Sequence, residues 1–488
     1  MARPQTLATW MTSHERASKE VIRLVQHAWL LLFAWLASPS PFRVLADTSD
    51  SQLLLQASWA AQVGWNSATD MCNWTGITCT AEQATNIELS GLGLTGSLPD
   101  AWSQLSGLNW LHLSNNSLTG TLPSVWSGLG GVKEQGDSST YLDEVYLDNN
   151  RLTGTLPATW ASMNLVSGLS LANNSLRGPL PAAWSNLTET SYFSLEGNQL
   201  TGTLPESWSQ LAQATVCSLQ DNQLTGTLPS SWTNDSKVVV LSLQGNKLSG
   251  TLPPTNFERV EYLSLQDNFF SGHLPLSWIT APAEETPAGE TPLQYINLAS
   301  NALTGTLPVG WSGYSKLKFL SLHDNQLRGT LPSSWSSLTN LAYLSVESNN
   351  LTGSLPMSWS SMGSLQYISV AANAFSGDIP GSWSNLSQVQ VAKFDDNGLT
   401  GGIPSMANMT FLNATSNQLS ESLLHSLPAS IEVLYLSENN IASTVPKMEV
   451  AHLLIDSCED IDETVPDRGN YLTGTGTIYR VRTDMNIC

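Results

Sequence analysis

Leucines and an asparagine recur along this chain in the pattern L-x-x-L-x-L-x-x-N, followed by x-L-x-G-x-L-P. One copy reads LNWLHLSNN at residues 108–116. The dominant spacing is 24 residues, and the repeated asparagine stands at Asn116, Asn150, Asn174, Asn198, Asn222, Asn246, Asn268, Asn301, Asn325, Asn349, Asn373, Asn397, Asn417 and Asn439. A fixed period of this length predicts a leucine-rich repeat solenoid of the α/β horseshoe class.

The letters of the repeat indicate what each part of a coil does. The two leucines of L-x-L share one face of a short strand, and parallel strands stacked at about 4.8 Å bring these leucines into one core. We expect the asparagine to turn inward and bond buried backbone groups of the turn. The glycine permits a bend and the proline prevents a regular helix. We therefore predict a parallel sheet on the concave face, with extended segments and short helical turns on the convex face.

Tryptophan occupies one position of the period in many coils. It follows LPxx, where a leucine-rich repeat places an inward apolar residue, so we predict core packing rather than ligand binding. The tryptophans concerned are Trp102, Trp126, Trp160, Trp184, Trp208, Trp232, Trp278, Trp311, Trp335, Trp359 and Trp383.

The start of the chain indicates export. A basic region precedes AWLLLFAWLA at residues 28–37, and VLA at 44–46 offers a cleavage site, so residues 1–46 are predicted to be a signal peptide. Residues 47–80 contain a short amphipathic stretch and then C-x-W-x-G-I-x-C, which predicts an N-terminal cap with a Cys72–Cys79 disulfide.

The solenoid itself is predicted over residues 81–457, in about 15 coils. Two polar insertions interrupt the period and are expected to be surface loops, near residues 130–139 and 281–292. Residues 458–488 are predicted to form a C-terminal cap closed by a Cys458–Cys488 disulfide, whereas Cys217 replaces an inward leucine and should be a buried free thiol.

Composition and charge narrow the function classes. Removing the leader leaves 14 Lys and Arg against 38 Asp and Glu, a net charge of −24. This balance argues against nucleic acid or an anionic membrane as partner. No second apolar run follows, so we expect membrane attachment only through an anchor that this chain does not carry. A secreted or cell-surface glycoprotein is indicated by nine sequons, at Asn73, Asn115, Asn173, Asn186, Asn234, Asn350, Asn385, Asn408 and Asn413.

Motifs for catalysis are missing from the sequence. The histidines of the mature chain are scattered, and neither H-E-x-x-H nor G-x-S-x-G occurs. GLGLTG at residues 91–96 matches a nucleotide-binding pattern, but its place in the first coil explains the same letters. We predict no enzyme activity, no catalytic or metal site and no cofactor.

The outward residues of the strands are more informative. They lie six, four and two positions before the repeated asparagine and form three columns, which we call aromatic, serine and polar. Tyrosine beside serine is the composition of antibody binding loops, so we predict a ligand surface between Tyr262 and Lys393. The alternative is that these aromatics only stack on each other. The predicted contact residues are Tyr262, Tyr295, Phe319, Tyr343, Tyr367, Ser321, Ser345, Ser369, His323 and Glu347.

The LTGTLPxxWSxL coils, the CNWTGITC cap and the leader together resemble the surface antigens of kinetoplastid parasites, the Leishmania promastigote surface antigen and related proteophosphoglycans. The resemblance covers residues 51–488 and implies contact with host cells, with a host receptor or complement component as partner. Plant receptor-like ectodomains, which use L-x-G-x-I-P and a similar cap, are the next resemblance. Leucine in place of that isoleucine, and the Trp-Ser column, favour the parasite family.

Our leading hypothesis is a non-enzymatic extracellular glycoprotein that recognises or adheres to host proteins or cells through its concave face. A glycan-bearing protective coat and a secreted inhibitor of a hydrolase are the alternatives.

Overall fold

A computed structural model describes residues 49–129, 141–211, 213–232, 237–255, 257, 259–279, 292–420, 427–440 and 452–454. The chain divides into two compact units, residues 1–49 and 50–488, and the description concerns the second. The predicted leader, Asn234, the Cys458–Cys488 pair and the C-terminal cap lie outside the described residues, as do the two insertions except for residue 292.

The N-terminal cap closes the first coil of the solenoid. It begins with helix α1, Asp50–Leu54, which buries Leu53 and Leu54, and continues through short 3-10 turns at Ala60–Val63 and Met71–Asn73. The predicted Cys72–Cys79 disulfide is present. Strand β1, Ile77–Thr80, pairs antiparallel with β2, Gln83–Glu88, and thereby covers the edge of the long sheet.

The concave sheet contains the L-x-L segments. After β1, every described strand of this sheet pairs in parallel with the corresponding strand of the next coil. With strands numbered along the chain, it comprises β1 Ile77–Thr80, β2 Gln83–Glu88, β4 Trp110–His112, β6 Glu144–Tyr146, β8 Gly168–Ser170, β10 Tyr192–Ser194, β12 Val216–Ser218, β14 Val240–Ser242, β16 Tyr262–Ser264, β18 Tyr295–Asn297, β20 Phe319–Ser321, β22 Tyr343–Ser345, β24 Tyr367–Ser369, β26 Val391–Lys393, β28 Phe411–Asn413, β30 Val433–Tyr435 and β31 His452–Leu454.

Extended segments on the other side of the coils also pair, which the sequence reasoning did not predict. They form parallel sheets of two, three and nine strands. The strands are β3 Thr95–Ser97 and β5 Ser117–Thr119; β7 Thr153–Thr155, β9 Ser175–Pro179 and β11 Gln199–Thr201; and β13 Thr225–Gly226, β15 Lys247–Thr251, β17 Phe269–His273, β19 Ala302–Gly305, β21 Gln326–Gly329, β23 Asn350–Gly353, β25 Ala374–Asp378, β27 Gly398–Gly401 and β29 Gln418–Leu419.

This second pairing explains the repeated T-G-T. The Thr225 hydroxyl donates to the Gly202 carbonyl of the preceding coil at 3.2 Å. Gly226 has φ +81°, and a Cβ there would lie 2.8 Å from Cγ2 of Thr203. Glycine is therefore needed both for its backbone conformation and for the methyl group stacked above it.

The repeated asparagines form a buried ladder. Asn325 Nδ2 donates to the carbonyls of Leu322 and His323 in its own coil and of Leu298 in the preceding one, at 3.0–3.2 Å. Its Oδ1 accepts the backbone N–H of Leu303 at 3.0 Å. One amide thus satisfies backbone groups of two coils, as predicted.

The tryptophan row lies in the core, as predicted. Trp335 is fully buried, and its ring is nearly parallel to those of Trp311 and Trp359, with centroids 6.5 and 6.3 Å away. From Trp126 onward each indole N–H also donates to an acceptor one coil back, such as the Pro308 carbonyl 3.0 Å from Trp335 Nε1, while the Trp102 N–H donates to the Leu53 carbonyl of α1. The tryptophans of the row lie on 3-10 turns at Asp100–Gln104, Ser124–Gly128, Ala158–Ser162, Ala182–Asn186, Glu206–Gln210, Ser230–Trp232, Leu276–Ile279, Val309–Gly313, Ser333–Ser337, Met357–Ser361 and Gly381–Asn385.

We predict that Trp335→Phe destabilises the solenoid, because it shrinks a fully buried side chain and removes one of the two donors to the buried Pro308 carbonyl, which keeps only the backbone N–H of Trp311. The free energy of unfolding should fall by about 2–3 kcal/mol, measured by chemical denaturation. Thr339→Ala, at an exposed position of the same coil, is the control and should change it by less than about 0.5 kcal/mol. Equal losses in the two variants would show that the indole bond adds nothing.

Candidate ligand-binding face

The aromatic column between β16 and β24 forms one continuous stack of rings. Ring centroids are 4.0 Å apart for Tyr262 and Tyr295, 4.2 Å for Tyr295 and Phe319, 4.2 Å for Phe319 and Tyr343, and 4.3 Å for Tyr343 and Tyr367. Interplanar angles are 8–14°. The five predicted aromatic residues are therefore brought together, with their faces turned towards each other.

Stacking limits what a ligand can reach. Tyr343 is 4% exposed and Tyr367 6% exposed, so these two contribute more to the sheet than to an open surface. Tyr262, Tyr295 and Phe319 are half-buried. Burial raises the pKa of Tyr343 to about 12, so its phenol stays neutral at physiological pH.

The predicted serines form a floor beside the stack. Ser321, Ser345 and Ser369 are almost completely buried. Ser369 Oγ donates to a carboxylate oxygen of Glu347 at 2.8 Å. This hydrogen bond from Ser369 holds the Glu347 side chain in place.

Polar groups that a ligand can reach lie at the side of the stack. His323 Nδ1 is 2.7 Å from the Asp324 carboxylate, with side-chain exposures of 35% and 56%. Glu347 and Lys393 form an ion pair at 3.4 Å across two coils. The sequence did not predict Asp324 as a contact residue, because Asp324 follows the outward polar position and belongs to none of the three columns.

Asp395 is the most perturbed carboxyl group of this region. Burial raises its pKa to about 6, with the nearby Glu347 carboxylate acting in the same direction. The backbone and Lys393 oppose this shift without cancelling it.

A second polar cluster lies at the N-terminal end of the same face. His112 Nδ1 is 2.5 Å from Glu88 and Nε2 is 2.9 Å from Glu144, while the ring stacks between Trp110 and Tyr146. Burial lowers the pKa of His112, but the hydrogen bonds and charges of Glu144 and Glu88 outweigh burial and raise it. The column spacing could have revealed this cluster, since Glu144 and Trp110 share the aromatic column.

The sequons are distributed over several surfaces. Asn413 is half-buried on β28, where its Oδ1 accepts the Thr415 N–H at 3.2 Å. The other described sequons have exposed asparagines, at Asn73, Asn115, Asn173, Asn186, Asn350, Asn385 and Asn408.

Within the described ranges, His, Cys, Asp and Glu side chains form no group of three or more that could hold a metal ion. Cys217 is a buried free thiol whose pKa burial raises to about 12.

Comparisons with known proteins agree with the solenoid. The family description "Leucine rich repeat N-terminal domain" matches residues 51–80, and "Leucine Rich Repeat" matches 107–129 and 316–338. A curated relative, the leucine-rich repeat receptor-like serine/threonine-protein kinase GSO2 of Arabidopsis thaliana, is 42% identical over 52 residues. That match covers 10% of this chain and 4% of the relative.

Solved structures match over much longer stretches. A TDR receptor superposes with a TM-score of 0.61 at 25% identity, covering 74% of this chain and 66% of the receptor. The ectodomain of the Arabidopsis receptor kinase HAESA, in complex with an IDA peptide hormone, gives 0.61 at 26%, covering 83% and 73%. The plant peptide hormone receptor RGFR1 in complex with RGF2 gives 0.54 at 26%, covering 67% and 58%. The chain is a leucine-rich repeat solenoid.

The resemblance to kinetoplastid surface antigens is wrong, because these matches are to plant receptors. The structure shows why two sequence features, leucine in place of isoleucine and the Trp-Ser column, wrongly indicated that family. Leu355, Ile379 and Ile403 occupy the same position of successive coils and are equally buried, so leucine or isoleucine fills it without changing the fold. The tryptophan column is a core row, and it carries no information about a partner.

The matched structures bear on three further predictions. The match to HAESA is to its leucine-rich repeat ectodomain and not to a catalytic domain, which confirms the prediction of a non-enzymatic chain and supports an extracellular location. HAESA and RGFR1 were solved with peptide ligands, which supports the prediction of protein ligands. The host receptor and complement came with the mistaken resemblance and have no support here. Across the described residues, every helix is too short or too polar to span a bilayer.

We predict that Asp395→Asn stabilises the protein at neutral pH. A carboxyl group whose pKa rises on folding contributes stability below its unfolded pKa of 3.8 and loses it as pH rises through about 6. The melting temperature of the variant should therefore exceed that of the wild type at about pH 7 and equal it at about pH 3. Glu432→Gln, at an exposed position, is the control and should leave both values unchanged. A stabilisation that is equal at both pH values would contradict this account.

Proposed function

We propose that this protein is a non-enzymatic extracellular recognition protein that binds an extended protein or peptide segment on its concave face, between Tyr262 and Lys393. The observation that carries the proposal is the aromatic stack beside reachable His323, Glu347 and Lys393. Stacked rings give a rigid apolar ridge, and the neighbouring charges supply specific hydrogen bonds.

Two further observations support this assignment. HAESA and RGFR1, which have similar solenoids, were solved in complex with peptide hormones. The part of the proposed surface before residue 350 also lies in a long stretch with few glycan sites, because residues 187–349 contain one sequon, at Asn234, whereas Asn350 and Asn385 belong to its later coils. A ligand could therefore approach most of this stretch without meeting an N-glycan.

A protective coat is the second candidate function. It is favoured by the seven exposed sequon asparagines outside that stretch. Glycans at these positions would cover both ends of the solenoid. The two functions differ in whether the protein part itself selects a ligand.

The proposal predicts that the glycosylated protein enriches particular sequences from a displayed library of random linear peptides. A His323→Ala, Glu347→Gln double variant should bind the enriched peptides at least tenfold more weakly, about 1.4 kcal/mol, because both side chains are reachable polar groups of the surface. His273→Ala, Glu206→Gln is the matched control, since both residues are exposed and lie off the concave face.

The changes avoid Tyr343 and Tyr367, because alanine there would open the stack and lower stability directly. Equal binding by the double variant and the control would refute the proposed surface. If no peptide is enriched before or after enzymatic removal of N-glycans, the recognition function is wrong and the coat is favoured.

A further inference from the structure

Large apolar side chains are exposed in one row on the 3-10 turns of the solenoid. Leu276 is 66% exposed, Val309 65% and Met357 73%, although a buried tryptophan follows two residues after each of them. Each is the first residue of its turn, and Ser333 and Gly381 occupy the same position in neighbouring coils. We call these five residues, Leu276, Val309, Ser333, Met357 and Gly381, the apolar stripe. Adjoining exposed apolar residues mark contact surfaces, whereas scattered ones do not.

Contacts between coils fix the spacing of the apolar stripe. The Ser358 hydroxyl donates to the Ser333 carbonyl at 2.9 Å, and the Ser382 hydroxyl donates to the Met357 carbonyl at 3.1 Å. The tryptophan rings behind the stripe lie 5.9–6.5 Å apart in successive coils. The stripe is therefore a preformed surface that repeats once per coil.

An open cavity of about 580 Å³ adjoins the C-terminal end of the stripe. The next coil is short, since its ladder asparagines, Asn397 and Asn417, are 20 residues apart instead of 24, and its residues 402–410 contain no 3-10 turn. A Cβ at Gly381 would meet no atom within 4 Å, so the stripe ends in a gap. The lining of the cavity includes Met357, Ile379, Pro380, Gly381, Ile403 and Pro404.

The five coils of the stripe carry no net charge on this side. Their convex strands and turns contain one arginine, Arg328, one aspartate, Asp378, and one histidine, His273, over residues 269–278, 302–313, 326–337, 350–361 and 374–385. The whole chain carries −21, so two copies repel each other over most of their surface. Repulsion is weakest where these coils of one copy face those of another.

We propose that the apolar stripe binds a second copy of this chain in an antiparallel, two-fold dimer centred on Ser333. In a two-fold interface, a residue before the centre meets the residue that lies equally far behind the centre in the other copy. Val309 then contacts Met357 of the second copy, and Leu276 fills the gap at Gly381 with its cavity. The small Ser333 on the axis lets the two stripes approach closely, and large side chains face small ones or other apolar ones, as the core of an interface requires.

Dimerisation through the stripe leaves both concave faces free, because the stripe contains no residue of the concave strands. The dimer would present two copies of any ligand surface on that face. A ligand with two recognition segments would then gain the effective concentration of an intramolecular second contact. The dimer itself does not depend on the function proposed for the surface between Tyr262 and Lys393.

Sedimentation velocity of the glycosylated protein at about 1–100 µM tests the association. The wild type should dimerise in this range, and Met357→Glu should raise the dissociation constant at least about tenfold, because it puts a carboxylate into an apolar contact in each half of the interface. Val125→Glu is the matched control, since Val125 is 48% exposed but lies outside the stripe, and it should leave the dissociation constant unchanged. A monomeric wild type, or equal losses in the two variants, would overturn the proposal.

Paired charges test the antiparallel register and guard against loss of folding. Val309→Lys alone should weaken the dimer, whereas Val309→Lys, Met357→Glu should recover it, because lysine and glutamate then meet across the two-fold axis. Val309→Lys, Val125→Glu introduces the same two charges, leaves the lysine unpaired and should not recover the dimer. Equal dissociation constants for the two double variants would contradict the register.

Glycans are the remaining variable, because the sequon residue Asn385 ends the turn that begins at Gly381. The wild type is therefore measured before and after enzymatic removal of N-glycans, and the dimer should form in both samples. Dimers that form only after removal would overturn the proposal for the glycosylated protein. A monomer that floats with phosphatidylcholine vesicles would overturn it in favour of a lipid surface.

Discussion

The structure depends on one interaction, the bonding of each ladder asparagine to two coils at once. A single coil leaves the carbonyls and N–H groups of its turn buried and cannot satisfy them by itself. Asn325 reaches the carbonyls of Leu322 and Leu298 and accepts from Leu303, so polar satisfaction is shared between neighbours. The coil is therefore stable only within a stack, which explains why one short pattern is repeated over most of the chain.

The same logic separates residues that are fixed from residues that can vary. Leucines, ladder asparagines and tryptophans point into the coil, where packing and buried hydrogen bonds specify them. Core packing and buried hydrogen bonds do not specify the residues of the three outward columns in every coil. In three successive coils the aromatic column contains Glu144, Gly168 and Tyr192, and the buried core is the same in kind. Differences in ligand preference along the face can therefore arise without altering the scaffold.

Sequence reasoning succeeded where the period constrains the chain. The inward tryptophans, the asparagine ladder and the Cys72–Cys79 bridge follow from phase and spacing. It failed where neighbouring coils meet side by side. The second sheets arise from pairing between extended segments of adjacent coils.

From sequence composition alone, the predicted ligand surface is more exposed than the structure shows it to be. Tyrosine beside serine suggested an adaptable binding face, but in parallel strands identical residues lie directly beside each other. At this spacing the rings of Tyr343 and Tyr367 bury each other's faces, and the serines of the neighbouring column are also buried. Antibody loops do not have this register, so the analogy holds for composition and not for exposure. The reachable chemistry is at the edge of the stack, in His323, Asp324 and Glu347.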